Sequence, residues 1–94
     1  MYIHIGKNCA IPEENIIAII DKKNMYNSDI NKEFLNIASD EGFVENLAEK
    51  KEIKSYIITE EMSKYSKKNY MKTKIYASNI SSTTLMKRVN YNIF

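Results

Sequence analysis

A chain of 94 residues, 44% hydrophobic and 28% charged with two Gly and one Pro, has the size and profile of one small globular domain spanning residues 1–94. Its net charge is +2, Cys9 and His4 are each alone, and its longest aliphatic run, Ile16-Ile17-Ala18-Ile19-Ile20, is five residues long. These counts argue against a membrane-spanning helix, which needs about 20 apolar residues, and against a disulfide framework or a zinc site.

Tyr2-Ile3-His4-Ile5 opens the chain as a strand, with Ile3 and Ile5 on one face and Tyr2 and His4 on the other. Gly6-Lys7-Asn8 reads as a turn. Pro12-Glu13-Glu14 suits the start of a helix, since Pro fits a first turn and acids favour its positive end. Ile16 to Ile20, dense in β-branched residues, reads as a buried strand, and Asp21 to Asn27 as a polar connection. Ser28 then caps the clearest helix, in which Ile30, Phe34, Leu35, Ile37 and Ala38 form a core seam and Gly42 a left-handed C-terminal cap.

Phe43 to Leu47 and Ile53 to Thr59 read as two strands of a hairpin, with Lys50 and Lys51 at its tip and Lys54 one step down. Glu60 to Thr73 reads as a solvated loop. Lys74 to Ser78 returns to a strand. Asn79-Ile80 turns the chain, and Ser81 or Ser82 caps a last helix that turns Leu85, Met86, Val89 and Ile93 inward and Lys87 and Arg88 outward. The fold class is therefore α+β: a small antiparallel β-sheet with one central and one C-terminal helix.

Charge is divided along the chain. Residues 1–49 carry four Lys against nine acids, and residues 50–94 carry nine Lys and Arg88 against three acids. A basic half of this kind attracts polyanions. Because Arg88 is the only Arg, contacts to a nucleic acid would lean on phosphates rather than base edges. Lys64, Lys67, Lys68 and Lys72 interleave with Tyr65 and Tyr70, a pattern that also suits stacking on a single strand. No acid, base and nucleophile converge, so no enzymatic role and no cofactor are expected.

Several segments taken in order resemble a known family. Tyr2-Ile3-His4-Ile5-Gly6 and Ile16 to Asp21 are similar to the N-terminus of the small RemB-type proteins. Glu33-Phe34-Leu35, Glu41-Gly42-Phe43-Val44, Lys54 to Thr59 and Ile80 to Arg88 continue the likeness to the RemA/RemB extracellular matrix regulators across nearly the whole chain. With no long apolar run, and with neither the basic nor the apolar region of a secretory signal in Met1-Tyr2-Ile3-His4-Ile5-Gly6, the chain is expected in the cytosol. The resemblance implies a DNA-binding regulator of transcription, linked in some members to biofilm matrix genes. It also implies a fold similar to LytTR-type domains and assembly into a homo-oligomeric ring.

An arginine-rich stretch of the RemA branch maps onto Lys51, Glu52, Ile53 and Lys54, and a further arginine onto Asn15. The family's Ser-Pro-Ile before the last helix stands here as Ser78-Asn79-Ile80. The expected partners are double-stranded DNA and further copies of the chain, with no membrane. Lys50, Lys51, Lys54, Lys87 and Arg88 are the candidate DNA contacts. A ring would let such sparse cations act together, because each later contact becomes intramolecular. Tyr2, Tyr76 and Tyr91 are candidate interface aromatics. The alternative is an oligomeric structural or protein-interaction module without DNA binding.

Overall fold

Alternation in the central strands divides the interior into two. The computed structural model describes residues 1–62 and 71–90. It is an α+β structure in which a four-stranded sheet carries an apolar cluster on each face. Its strands are β3 (Ile16–Asp21), β4 (Val44–Asn46), β5 (Ser55–Met62) and β6 (Met71–Ser78), in the spatial order β3-β5-β6-β4. Ile57 of β5 and Tyr76 of β6 face one side, and Tyr56, Ile75 and Ala77 face the other, as the two-residue strand period requires.

On the first side lies a separate hairpin of β1 (Tyr2–Gly6) and β2 (Cys9–Pro12), together with the last helix, α3 (Ser82–Asn90). Ile3, Ile5, Ile11, Leu47 and Leu85 complete that cluster. On the second side, α1 (Lys22–Asn27) and α2 (Asp29–Asp40) deliver Met25, Leu35 and Ala38 against the sheet, where Ile53 joins them. Each fully buried side chain of this size, such as Ile57 or Leu85, contributes roughly 1.5–3 kcal/mol.

Local chemistry explains the ends of these elements. Lys7 and Asn8 both hold positive φ, at 42° and 57°, the backbone hand that a two-residue hairpin loop needs. Gly6, at φ +129°, lies where an added Cβ would sit 3.3 Å from the Ser78 hydroxyl. Ser28 caps α2, its Oγ accepting from the Asn31 N–H at 3.2 Å. At the other end, the Gly42 N–H donates to the Ser39 carbonyl and the Phe43 N–H to the Ala38 carbonyl, with Gly42 at φ +79°. That is a Schellman closure, and it needs the left-handed residue. Ser81 caps α3 by accepting from the Thr84 N–H at 3.2 Å.

The structure departs from the sequence reading in several places. Residues 43–47 and 53–59 do not form a hairpin. β4 pairs with β6 in parallel, and β5 has β3 on one edge and β6 on the other, both antiparallel. Strand propensity marks which residues extend but not which edge they meet, and both edges of β5 are taken. Cys9–Pro12 is a strand, Glu13–Asn15 only a 3-10 turn, and Lys22–Asn27 a helix rather than a connection. β5 and β6 run well into the stretch read as a loop, and residues 63–70 lie outside the described residues.

A bulge between Ile16 and Ala18 in β3 puts Ile16 and Ile19 on the same side, which is how a run of isoleucines serves both clusters. On α2 the seam is narrower than its spacing suggests. Leu35 and Ala38 are buried, whereas Ile30, Phe34 and Ile37 are 79%, 42% and 53% exposed. Met86 of α3 is exposed as well, while Leu85 is buried and Val89 packs at the margin of the first cluster.

Candidate nucleic-acid interface

Ile53 decides where the candidate lysines stand. It is buried in the second cluster, next to a 3-10 turn at Lys50–Glu52 that links β4 to β5. The Glu52 N–H donates to the Glu49 carbonyl at 2.8 Å, closing the turn. Lys54 is then held by both its backbone groups. Its N–H donates to the Ser78 carbonyl at 2.8 Å, and its carbonyl accepts from the Lys22 N–H at 2.9 Å. With the backbone tied on both sides and Ile53 pointing inward, Lys50, Lys51 and Lys54 are exposed around one rigid corner.

The three lysines are thus brought together, at the corner of a crossover rather than at a hairpin tip. Two acids share the turn. Glu49 lies 3.8 Å from the Lys51 Nζ, both side chains largely exposed, a geometry worth little in water. Behind the corner Tyr26 and Tyr56 meet edge to face with 6.4 Å between ring centroids, and their hydroxyls are 3.1 Å apart. Burial, and then the bond to Tyr26, push the Tyr56 phenol well above its ordinary value of 10.0.

Lys87 and Arg88 stand elsewhere. They line an open depression of about 540 Å³ between α3 and β1, with Met1, Tyr2 and Thr84 around it. The Arg88 guanidinium donates to the His4 carbonyl at 2.7 Å, fastening α3 to the first strand. Five candidate cations therefore fall into two groups, one at the corner and one beside β1. Of the three candidate interface tyrosines, Tyr2 is exposed, Tyr76 is buried in the first cluster, and Tyr91 lies outside the described residues. Tyr76 is therefore core and offers no ring to a partner. Lys64, Tyr65, Lys67, Lys68, Tyr70 and Ile93 also lie outside the described residues.

Lys74 is committed to the fold. Its Nζ is 2.9 Å from a Glu45 carboxylate oxygen and 5.0 Å from the centre of the Tyr76 ring, joining β6 to β4. The hydrogen bond to Glu45 raises the Lys74 ammonium above its ordinary 10.5 against the opposing effect of burial. Burial and the nearby Glu45 charge push the Cys9 thiol up, which keeps it protonated and poorly nucleophilic. Among the described residues, no three His, Cys, Asp or Glu are grouped to hold a metal ion, and no helix is long and apolar enough to cross a membrane.

A family model described as RemA-like, extracellular matrix regulatory protein A-like, matches residues 2–89. The chain belongs to the RemA-like family. The match runs from β1 through nearly all of α3, so it takes in every element of the described fold but the last residue of α3, and the family is a regulatory one. No curated protein and no solved structure matches this RemA-like chain.

Sequence reasoning missed two lysines at the corner. Lys22 and Lys23 sit at the start of α1, the first of them bonded through its backbone to Lys54. The six residues of α1 are too few for a periodic apolar signal, and only Met25 is buried.

Proposed function

We propose that this RemA-like protein is a DNA-binding regulator of transcription that acts in the cytosol as a homo-oligomeric ring and grips duplex DNA mainly through phosphates. The observation that carries the reading is the grouping of exposed Lys50 and Lys51, on a closed 3-10 turn, with exposed Lys54, whose backbone is held on both sides. Lysines on a rigid base engage phosphate without first having to order the loop that bears them. Membership of a family of extracellular matrix regulators supports it further. A single copy offers few cations, so a ring supplies the affinity by repetition. The exposed row Ile30, Phe34 and Ile37 on α2, together with Tyr2 and Met86, supports self-association.

Lys51 and Lys54 carry most of the contact at the corner, with Lys50 beside them and Lys87 and Arg88 as a second set. Replacing Lys51 and Lys54 together by Glu abolishes retention of duplex DNA on a filter at low salt and leaves the solution mass of the oligomer unchanged. Undiminished retention by that variant refutes the assignment. The same exposed row on α2 favours one other reading, an oligomeric module that binds a protein partner and no DNA. A gel shift across a salt series separates the two, because only phosphate contact gives a steep loss of affinity with salt.

A further inference from the structure

An open groove of about 660 Å³ runs beside the Lys54 corner, between α1 and the entry to α3. Lys22 and Lys23 form one wall with Tyr26, Lys54 rises from the other, and Ser81 lies at the edge where α3 begins. Ile53 contributes an apolar floor. One carboxylate, Asp21, also borders it, so three lysines and one acid leave the lining at +2. Among the described residues, none of the three ammonium groups forms an ion pair, in contrast to Lys32, Lys51 and Lys74.

The spacing of these lysines is set by the backbone rather than by side-chain chance. Lys22 and Lys23 are adjacent, and the 2.9 Å bond from the Lys22 N–H to the Lys54 carbonyl ties them to the third. From standard bond lengths and that contact the three Cα atoms lie within about 10 Å of one another. A cluster of that size lets the three long side chains meet neighbouring phosphates of one duplex strand together. The Tyr26 ring, 41% exposed, stands between this groove and the one that contains Lys50. The two grooves are therefore neighbours, with Lys50 on one side of the ring and Lys22, Lys23 and Lys54 on the other.

We propose that this groove is a phosphodiester-binding channel in which Lys22 and Lys23 join Lys54 in gripping one strand of duplex DNA. The inference rests on the DNA-binding reading above and extends it to residues in the acidic half of the chain. Its ligand is the sugar–phosphate backbone, so the contact is indifferent to base sequence.

The test is a fluorescence-anisotropy titration of the full chain with two duplexes of unrelated sequence, across about 50 to 200 mM salt. The variants are Lys22→Gln with Lys23→Gln, Lys23→Gln alone, and Lys32→Gln on α2 as a control for net charge. The double variant is expected to bind both duplexes at least tenfold more weakly and to lower the slope of log affinity against log salt by about 2 for each copy in contact with the duplex. Lys23→Gln alone, at an exposed position that needs no repacking, is expected to lower it by about half as much. Lys32→Gln leaves the slope unchanged. Wild-type binding with an unaltered slope in the double variant overturns the channel and leaves the DNA reading standing. An equal loss in Lys32→Gln overturns it too, since net charge then accounts for the effect. No binding by the wild type at any salt overturns both.

Discussion

Replacing Ser78 by Ala removes a hydroxyl that links the two sheets to the entry of α3. The Ser78 Oγ–H donates to the Ile5 carbonyl at 2.6 Å, and the same oxygen accepts from the Ile80 N–H at 3.0 Å. Ile5 is the residue skipped in the β1–β2 register, between the His4 and Gly6 pairs, so the bulge turns its carbonyl to Ser78. Both Ile5 and Ser78 are fully buried. A buried acceptor left unpaired costs about 1–3 kcal/mol, and the Ile80 N–H, nearer to water, adds about 1. The loss is therefore about 2–4 kcal/mol, a large share of the roughly 5–14 kcal/mol expected for a domain of this length. Urea unfolding followed by far-UV circular dichroism reads it as a midpoint lower by about 2 M with an unchanged slope. Repeating the curve at two protein concentrations separates this loss from any effect of assembly. A change below about 0.5 kcal/mol refutes the claim that this hydroxyl satisfies the bulge.

Gly42→Ala costs about 1–2 kcal/mol in a thermal melt, because φ of +79° strains any side chain although nothing lies within 4 Å of the added Cβ. Gly6→Ala costs more, since it combines φ of +129° with a 3.3 Å approach to the Ser78 hydroxyl. Tyr56 and Tyr76 have phenol values raised by burial, and Lys74 an ammonium value raised by Glu45, so all three bind their protons more tightly folded than unfolded. Their stabilisation is complete below the ordinary values of 10.0 and 10.5 and is lost as pH rises through the native ones. Melting temperature should therefore fall steeply above about pH 10, in step with tyrosine ionisation at 295 nm, and a flat profile to about pH 12 would contradict it. Phe34→Ser together with Ile37→Ser leaves far-UV dichroism intact and lowers the solution mass if the exposed row on α2 is the self-association surface. An unchanged mass excludes that surface.

Much of the chain was legible residue by residue. Alternation marked Ile3 and Ile5 as buried, the β-branched run gave β3, and Ser28 and Gly42 marked both ends of α2. Each of these signals is short-range, a matter of a side chain and its neighbours within one turn or one pleat. The same locality limited the reading of the candidate interface. Lys50, Lys51 and Lys54 stood out because they are close in sequence, and Lys22 and Lys23 did not, because 31 positions separate Lys23 from Lys54.

The amino-acid sequence alone determined the α+β class, most of the strands, the caps, the family likeness and the division of charge. Tertiary structure decided the partner of β4, which of the α2 apolar residues face the core, and the meeting of α1 with the Lys54 corner. The reason is physical. A strand's propensity comes from its own side chains, but its neighbour is set by which edge is open once the other strands have paired. A helix likewise buries only as much of its apolar face as the sheet beneath it can cover, and α2 is left with Ile30, Phe34 and Ile37 outside.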